Sequence, residues 1–185
     1  MDRLESNDEY LMQLVKKDQL EAAQQLFLRY RSRIFGFFRH LTADAALSED
    51  LTQDVFERMI RYRASYKDGH RFQTWIFQIA RNVRLDHLQT HHRTTLLAEQ
   101  AAKQKLPQTD DPYDPIFLRE RQHQLQQALQ QLKVSDRELI YLSKFEHLKY
   151  QEISRLTGKP ENAVKVAVHR ALKQLRVHFF SSEND

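Results

Sequence analysis

Apolar residues recur at helical spacing along most of this chain, and the stripes break at polar or proline-bearing stretches. The most regular stripe runs through FQTWIFQIARNVRLDHLQTHHR, Phe72 to Arg93. Phe72, Trp75, Ile76, Ile79, Ala80 and Val83 share one side and predict a core-facing helix with Trp75 as a core anchor. Gln78, Arg81, Asn82, Leu85 and Gln89 lie opposite, a face suited to a polar, anionic partner. Before it, Asn7 or Asp8 caps a first helix with Leu11, Leu14 and Val15 inward. A second begins near Gln19 and carries Ala22, Ala23, Leu26, Phe27, Tyr30, Ile34, Phe37, Phe38 and Leu41, with Arg29, Arg31, Arg33 and Arg39 solvated. A third, with Ser48 as its expected cap, buries Leu51, Val55, Phe56, Met59 and Ile60.

The pattern loosens from Thr94 to Pro115, where Pro107, Pro112 and Pro115 stand among Asp110, Asp111 and Asp114. Proline removes the amide donor a helix needs, so this stretch reads as an acidic linker between two helical domains, 1–93 and 116–185. The second domain opens with Leu118, Leu125, Leu129 and Leu132 inward. Ser135 and Glu138 then form an expected capping box, followed by Leu139, Ile140, Leu142 and Phe145. A helix from about Lys149 holds Ile153 and Leu156 and stops at Gly158; Pro160 opens another. Its inward set is Ala163, Val164, Ala167, Val168, Ala171, Leu172 and Leu175. Two short helices joined by a turn with glycine at the C-terminal stop and proline at the next start match a helix-turn-helix. A plain helical hairpin is the alternative. With only three glycines and four prolines in 185 residues, hairpin-joined strands are disfavoured and the fold class is all-α.

Charge adds the candidate chemistry. The net charge of +4 permits a nucleic-acid partner without requiring one. The chain has no cysteine, which excludes disulfides and thiolate metal sites and agrees with a reducing cytoplasm. No apolar run is long enough to span a bilayer, and MDRLESNDEY is too polar for a secretion signal, so cytoplasmic placement without membrane insertion is expected. Asp50, Asp54 and Glu57 form an outward line of carboxylates. Spacing alone favours a solvated acidic face; a docking face for a basic partner is the alternative.

RYRASYKDGHR, from Arg61 to Arg71, mixes cations and aromatic rings. Such a mixture suits single-stranded nucleic acid, where cations follow phosphates and planar groups stack on bases; a polar surface loop is the alternative. On the last helix Glu161, Asn162, Lys165, Val166 and His169 point outward at the end that would enter a major groove, with Lys159, Arg170, Lys173 and Arg176 placed for phosphates. His87, His91 and His92 crowd one helix end, but no third ligand is evident nearby, and histidines near phosphates explain the cluster more simply than a metal. No cofactor is expected. No glycine-rich phosphate loop and no carboxylate pair in an evident pocket suggest an enzyme. A simple duplex-binding repressor or activator would need neither the acidic row nor the cationic loop nor the acidic linker.

The order of these parts resembles a known family. LSEDLTQDVFERMIRYR followed by RFQTWIFQIARNVRLDHL is similar to region two of the extracytoplasmic-function (ECF) sigma factors. YQEISRLTGKPENAVKVAVHRALKQLR resembles their region four. The resemblance covers nearly the whole chain and implies promoter-specific initiation with core RNA polymerase. It implies that Asp50, Asp54 and Glu57 dock on the β′ clamp helices, replacing the solvated-face reading, and that the β flap is a further core contact. It implies a specificity loop over Arg61–Arg71, with Arg61, Arg63, Tyr66, Lys67 and His70, that receives a base flipped from the minus-ten element. Asn82 would lie over that element, with Arg81 and Arg84 near phosphates. Asn162, Lys165, Val166, His169 and Arg170 would meet the minus-thirty-five element. The linker would thread towards the active-site cleft, and an anti-sigma factor is an implied partner. Val166 and Ala167 depart from the usual polar and basic residues, Lys149 stands in place of a capping serine, and HLQTHHR replaces an arginine-rich helix end.

Overall fold

A computed structural model describes residues 7–95 and 124–181, with side chains to residue 90 in the first span. The chain divides into two compact units, one drawn from residues 1–38 and 46–105 and the other from 39–45 and 106–185. Among the described residues every regular element is helical. The expected linker, 94–115, and the apolar position Leu118 lie outside the described side chains.

The first unit is built on α1 (Asp8–Lys16), α2 (Leu20–Thr42) up to Phe38, α3 (Ala45–Arg61) from Ala46, a 3-10 turn over Arg63–Ser65, and α4 (Phe72–Thr95). The Asn7 side chain accepts from the Glu9 N–H at 3.1 Å, as a cap should. Most of the anticipated stripes are buried: Leu11 and Val15 from α1; Leu26, Tyr30, Ile34 and Phe37 from α2; Leu51, Val55 and Met59 from α3; Phe72, Ile76, Ala80 and Val83 from α4. Met12 and Phe77, not anticipated, are buried with them, while Leu14 and Ile60 are half-buried. Their rings meet edge to face, Tyr30 with Phe72 at 5.0 Å, Phe27 with Phe56 at 4.8 Å and Phe37 with Phe77 at 5.6 Å, a geometry that opposes ring edge to ring face.

Two expectations are corrected. Ser48 does not cap α3; the helix starts three residues earlier, and Ser48 is buried, its carbonyl accepting from the Thr52 hydroxyl at 2.6 Å. The break before α3 is made by Ala43, whose φ of +62° turns the chain out of α2, and by hydrogen bonds between Thr42 and Asp44. Trp75 is half-buried rather than a central anchor, with its ring 5.3 Å from Tyr66 and 6.0 Å from Phe72.

The second unit contains α5 (helical over 124–130), α6 (Val134–Ile140), a π-helical turn over Tyr141–Phe145, α7 (Tyr150–Thr157) and α8 (Glu161–Ser181). Leu129, Leu132, Ile140 and Ala171 make a buried cluster on which Leu172 and Leu175 pack. The box expected at Ser135 and Glu138 is not formed. α6 begins at Val134 with Lys133 before it, so Ser135 lies inside the helix, exposed, and Glu138 is buried. Phe145 and Leu125, expected inward, are exposed at 46% and 36%.

The α7–α8 connection forms as expected. Gly158 has φ +70°, the left-handed conformation that a Cβ disfavours, and its N–H donates to the Ser154 carbonyl at 2.9 Å. The Pro160 carbonyl accepts from the Val164 N–H at 3.0 Å and starts α8. At the entrance to α7, where a serine was missed, Glu152 acts in reverse: its carboxylate accepts from the Lys149 N–H at 2.8 Å.

Candidate nucleic-acid interface

On α8 the helical period separates two sets of side chains. Val164, Val168 and Ala171 are buried; Asn162, Lys165, Val166, His169 and Arg170 are exposed, with Lys173 and Arg176 further along. Ala163, expected inward, is exposed beside them. Val166 is 67% exposed, an isopropyl group held in water between cationic and polar neighbours. Arg170 leans back towards Asp136, 3.7 Å away, whose side chain is almost fully buried. The row is therefore held out by one helix, with one of its cations tethered.

The loop before α4 is a different construction. Arg61, Lys67 and His70 are exposed, as the composition suggested. Arg63 is not a free cation: its guanidinium donates to the Ile60 carbonyl at 3.0 Å and to Asp18 at 2.6 Å. Tyr66 corrects the sequence reading most sharply. It is 1% exposed, its ring stands edge to face against Trp75, and its hydroxyl donates to the His70 carbonyl. A ring so placed does not stack on a base; it pins the loop to the core. Burial pushes its phenol up to about 12. Gly69, at φ +79°, makes the reversal at the loop tip.

Residues from α1 complete this loop, and periodicity gave no sign of them. Lys16 Nζ donates to the Tyr66 carbonyl at 2.9 Å, and Gln13 Nε2 donates to Asp68 at 2.6 Å. The bond from Gln13, then that from Lys16, hold the Asp68 carboxyl below its usual range. Glu9 accepts from the Phe72 N–H at 2.9 Å, placing a carboxylate at the positive N-terminus of α4. Along α4, Asn82 is exposed and its side-chain oxygen accepts from Gln78, one turn earlier, at 3.0 Å. Arg81 and Arg84 flank it, both half-buried. His87 is half-buried too, while the side chains of His91 and His92 lie outside the described residues.

The acidic row sits on α3 as its spacing demanded. Asp50 and Glu57 are exposed, and Asp54 is half-buried because Arg58 Nε donates to it at 3.0 Å. Arg58 also reaches Asp86 on α4 at 2.5 Å. Its guanidinium is raised further above its ordinary pKa, chiefly by the Asp86 hydrogen bond. The Asp54–Arg58 pair was readable as an i, i+4 spacing; the bridge to Asp86 was not.

This arrangement has relatives. Residues 26–94 match sigma-70 region 2, and residues 122–175 match sigma-70 region 4. The chain is 37% identical over 158 residues to RNA polymerase sigma factor CarQ of Myxococcus xanthus, a match covering 84% of this chain and 88% of the relative. It is 25% identical to ECF RNA polymerase sigma factor SigM of Bacillus subtilis, over 87% of this chain and 97% of the relative. In fold it is similar to the sigma factor RpoE of Bartonella quintana, solved in complex with the anti-sigma factor NepR, with a TM-score of 0.73, 21% identity and coverage of 84% and 94%. The chain belongs to the sigma-70 family, as an ECF RNA polymerase sigma factor. It serves promoter-specific transcription initiation by RNA polymerase and, like the sigma factors as a class, is not an enzyme. No helix among the described residues is long and apolar enough to cross a membrane.

Proposed function

We propose that the two units read the two promoter elements in different physical states. α8 enters the major groove of the duplex at the minus-thirty-five element, with Asn162, Lys165, Val166 and His169 towards base edges and Arg170 at a phosphate. Val166 selects a thymine methyl, since a valine offers no donor to a base edge. The loop with Arg61, Lys67 and His70 takes a base extruded from the minus-ten element, and Asn82, with Arg81 and Arg84, lies along the melted strand. Arg63 and Tyr66 shape the loop from inside. Extruding a base costs a few kcal/mol in lost stacking, offset by contacts in a pocket of fixed shape. The observation that supports this division is the contrast between a regular exposed row on one helix and a cationic loop tied to a folded core.

Docking on the polymerase falls to Asp50, Asp54 and Glu57 against the basic β′ clamp helices, with the second unit reaching the β flap. An anti-sigma factor that covers one or both units is the further expected partner; the similar RpoE was solved with one bound. The chain acts in the cytoplasm, where the polymerase is. The linker, through Asp110, Asp111 and Asp114, occupies the path of nascent RNA.

Run-off transcription with purified core enzyme, on templates randomised over both elements, tests the reading. Sequencing the transcribed templates should recover two separated preferences, and a single preferred block would overturn the division of labour. Charge reversal of both Asp50 and Asp54 to lysine should abolish holoenzyme formation on a native gel; an unshifted holoenzyme band would remove α3 as the docking face.

A further inference from the structure

The family match in the first unit begins at residue 26, so α1 and the turn after it lie upstream of it. Those upstream residues nevertheless touch the Arg61–Arg71 loop at each stage of its path. Near its start Asp18 accepts from Arg63 at 2.6 Å. In its middle Lys16 donates to the Tyr66 carbonyl at 2.9 Å. Near its tip Gln13 and Lys16 donate to Asp68 at 2.6 and 3.4 Å.

We propose that Gln13, Lys16 and Asp18 are positioning residues for promoter opening, holding the loop in its base-accepting shape before DNA arrives. The inference rests on the reading that this loop receives an extruded base, and adds where its shape comes from. Exposed ion pairs contribute little to global stability, and Asp68 is a solvent-facing carboxylate. Their effect is local, because they act on a segment whose other residues, Arg61, Lys67, Gly69 and His70, face water. A loop that is not already shaped must be ordered when the base arrives, and binding then weakens by the fraction of time the competent shape is populated. Tyr66 fixes one point of the loop from the core; α1 fixes the stretch beyond it.

The test separates loop shape from simple charge. Lys16→Met removes a cation and Asp68→Ala removes an anion, so their electrostatic effects on DNA are opposite in sign, while both release the tip. Holoenzymes of the full chain are compared on a promoter recovered from the randomised templates, with permanganate reactivity of unpaired thymines reporting melting. Both variants should slow opening about three- to tenfold. Assembly on a native gel should stay unchanged, Lys16→Arg should restore opening, and amide hydrogen exchange at residues 67–70 of the free chain should accelerate in both. Opening that is slowed by Lys16→Met but accelerated by Asp68→Ala would show a charge effect alone and overturn the proposal, as would wild-type opening in both. Lys67→Ala and His70→Ala serve as the control on the underlying reading. If they leave opening untouched, the loop does not receive the base; if they slow it while Lys16→Met and Asp68→Ala do not, only the positioning role falls.

Discussion

The row on α8 and the loop before α4 both expose cations, yet they are specified in different ways. On α8 a single helix decides everything: residues three and four apart share a face, so burying Val164, Val168 and Ala171 forces Lys165, Val166 and His169 outward. In the loop no period operates. Arg63 and Tyr66 turn inward while Arg61 and Lys67 stay out, and the choice depends on Lys16 and Asp18 at the end of α1 and on Trp75 in α4. Under the proposed reading a side chain on the row has one role, contact with DNA, except Arg170, which also leans on Asp136. A side chain in the loop either faces water or supports the loop, and composition does not separate the two.

The sharpest way to break this comparison is to truncate one residue from each region. Tyr66→Ala should destabilise the first unit by about 3–5 kcal/mol, the range for removing a buried aromatic ring, measured by denaturant unfolding followed through Trp75 fluorescence. Val166→Ala should leave stability within about 0.5 kcal/mol while altering the minus-thirty-five preference. Equal stability losses from the two would erase the distinction. A smaller effect concerns the scaffold under α8. A Cβ at Gly158 would meet nothing within 4 Å, so Gly158→Ala carries only the backbone penalty of a left-handed residue, about 1 kcal/mol, visible as a lowered melting temperature. A further effect is one of pH. The phenol of Tyr66 ionises near 10 when unfolded and at about 12 when folded, so the folded state holds its proton more tightly. Its contribution to stability is complete below pH 10 and declines as pH rises towards 12. Tyr66→Phe should flatten that alkaline decline in part. Tyr30, raised by burial and by its bond to Asp8, sustains the remainder.

Much of the architecture was readable because it rests on period and on residues with special backbones. The stripes of α1 to α4 and the stop at Gly158 fall where apolar spacing and glycine place them. Helix starts were less legible. Ser48 is a good cap by type, but the chain leaves α2 through a left-handed alanine that nothing in its chemistry marks. Ser135 and Glu138 have the right spacing for a box, yet the helix begins two residues too early to use it. In the interface, the exposed residues of α8 followed from the sequence, whereas the inward turn of Tyr66 did not. A tyrosine among cations reads equally well as a stacking platform or as a plug, and only the neighbouring Trp75 and the carbonyl of His70 decide.

The separation of inward and outward residues on α8 has a consequence for how such a protein changes over generations. Because Asn162, Lys165, Val166 and His169 are exposed, substitutions there should alter the proposed promoter preference without eroding the fold, and each step should remain viable while target sites drift. The loop has less freedom, since Arg63, Tyr66 and Asp68 carry the attachments that give it its shape. Lineages built on this plan should diversify the exposed row of α8 freely and hold Arg63, Tyr66 and Asp68 of the loop nearly fixed.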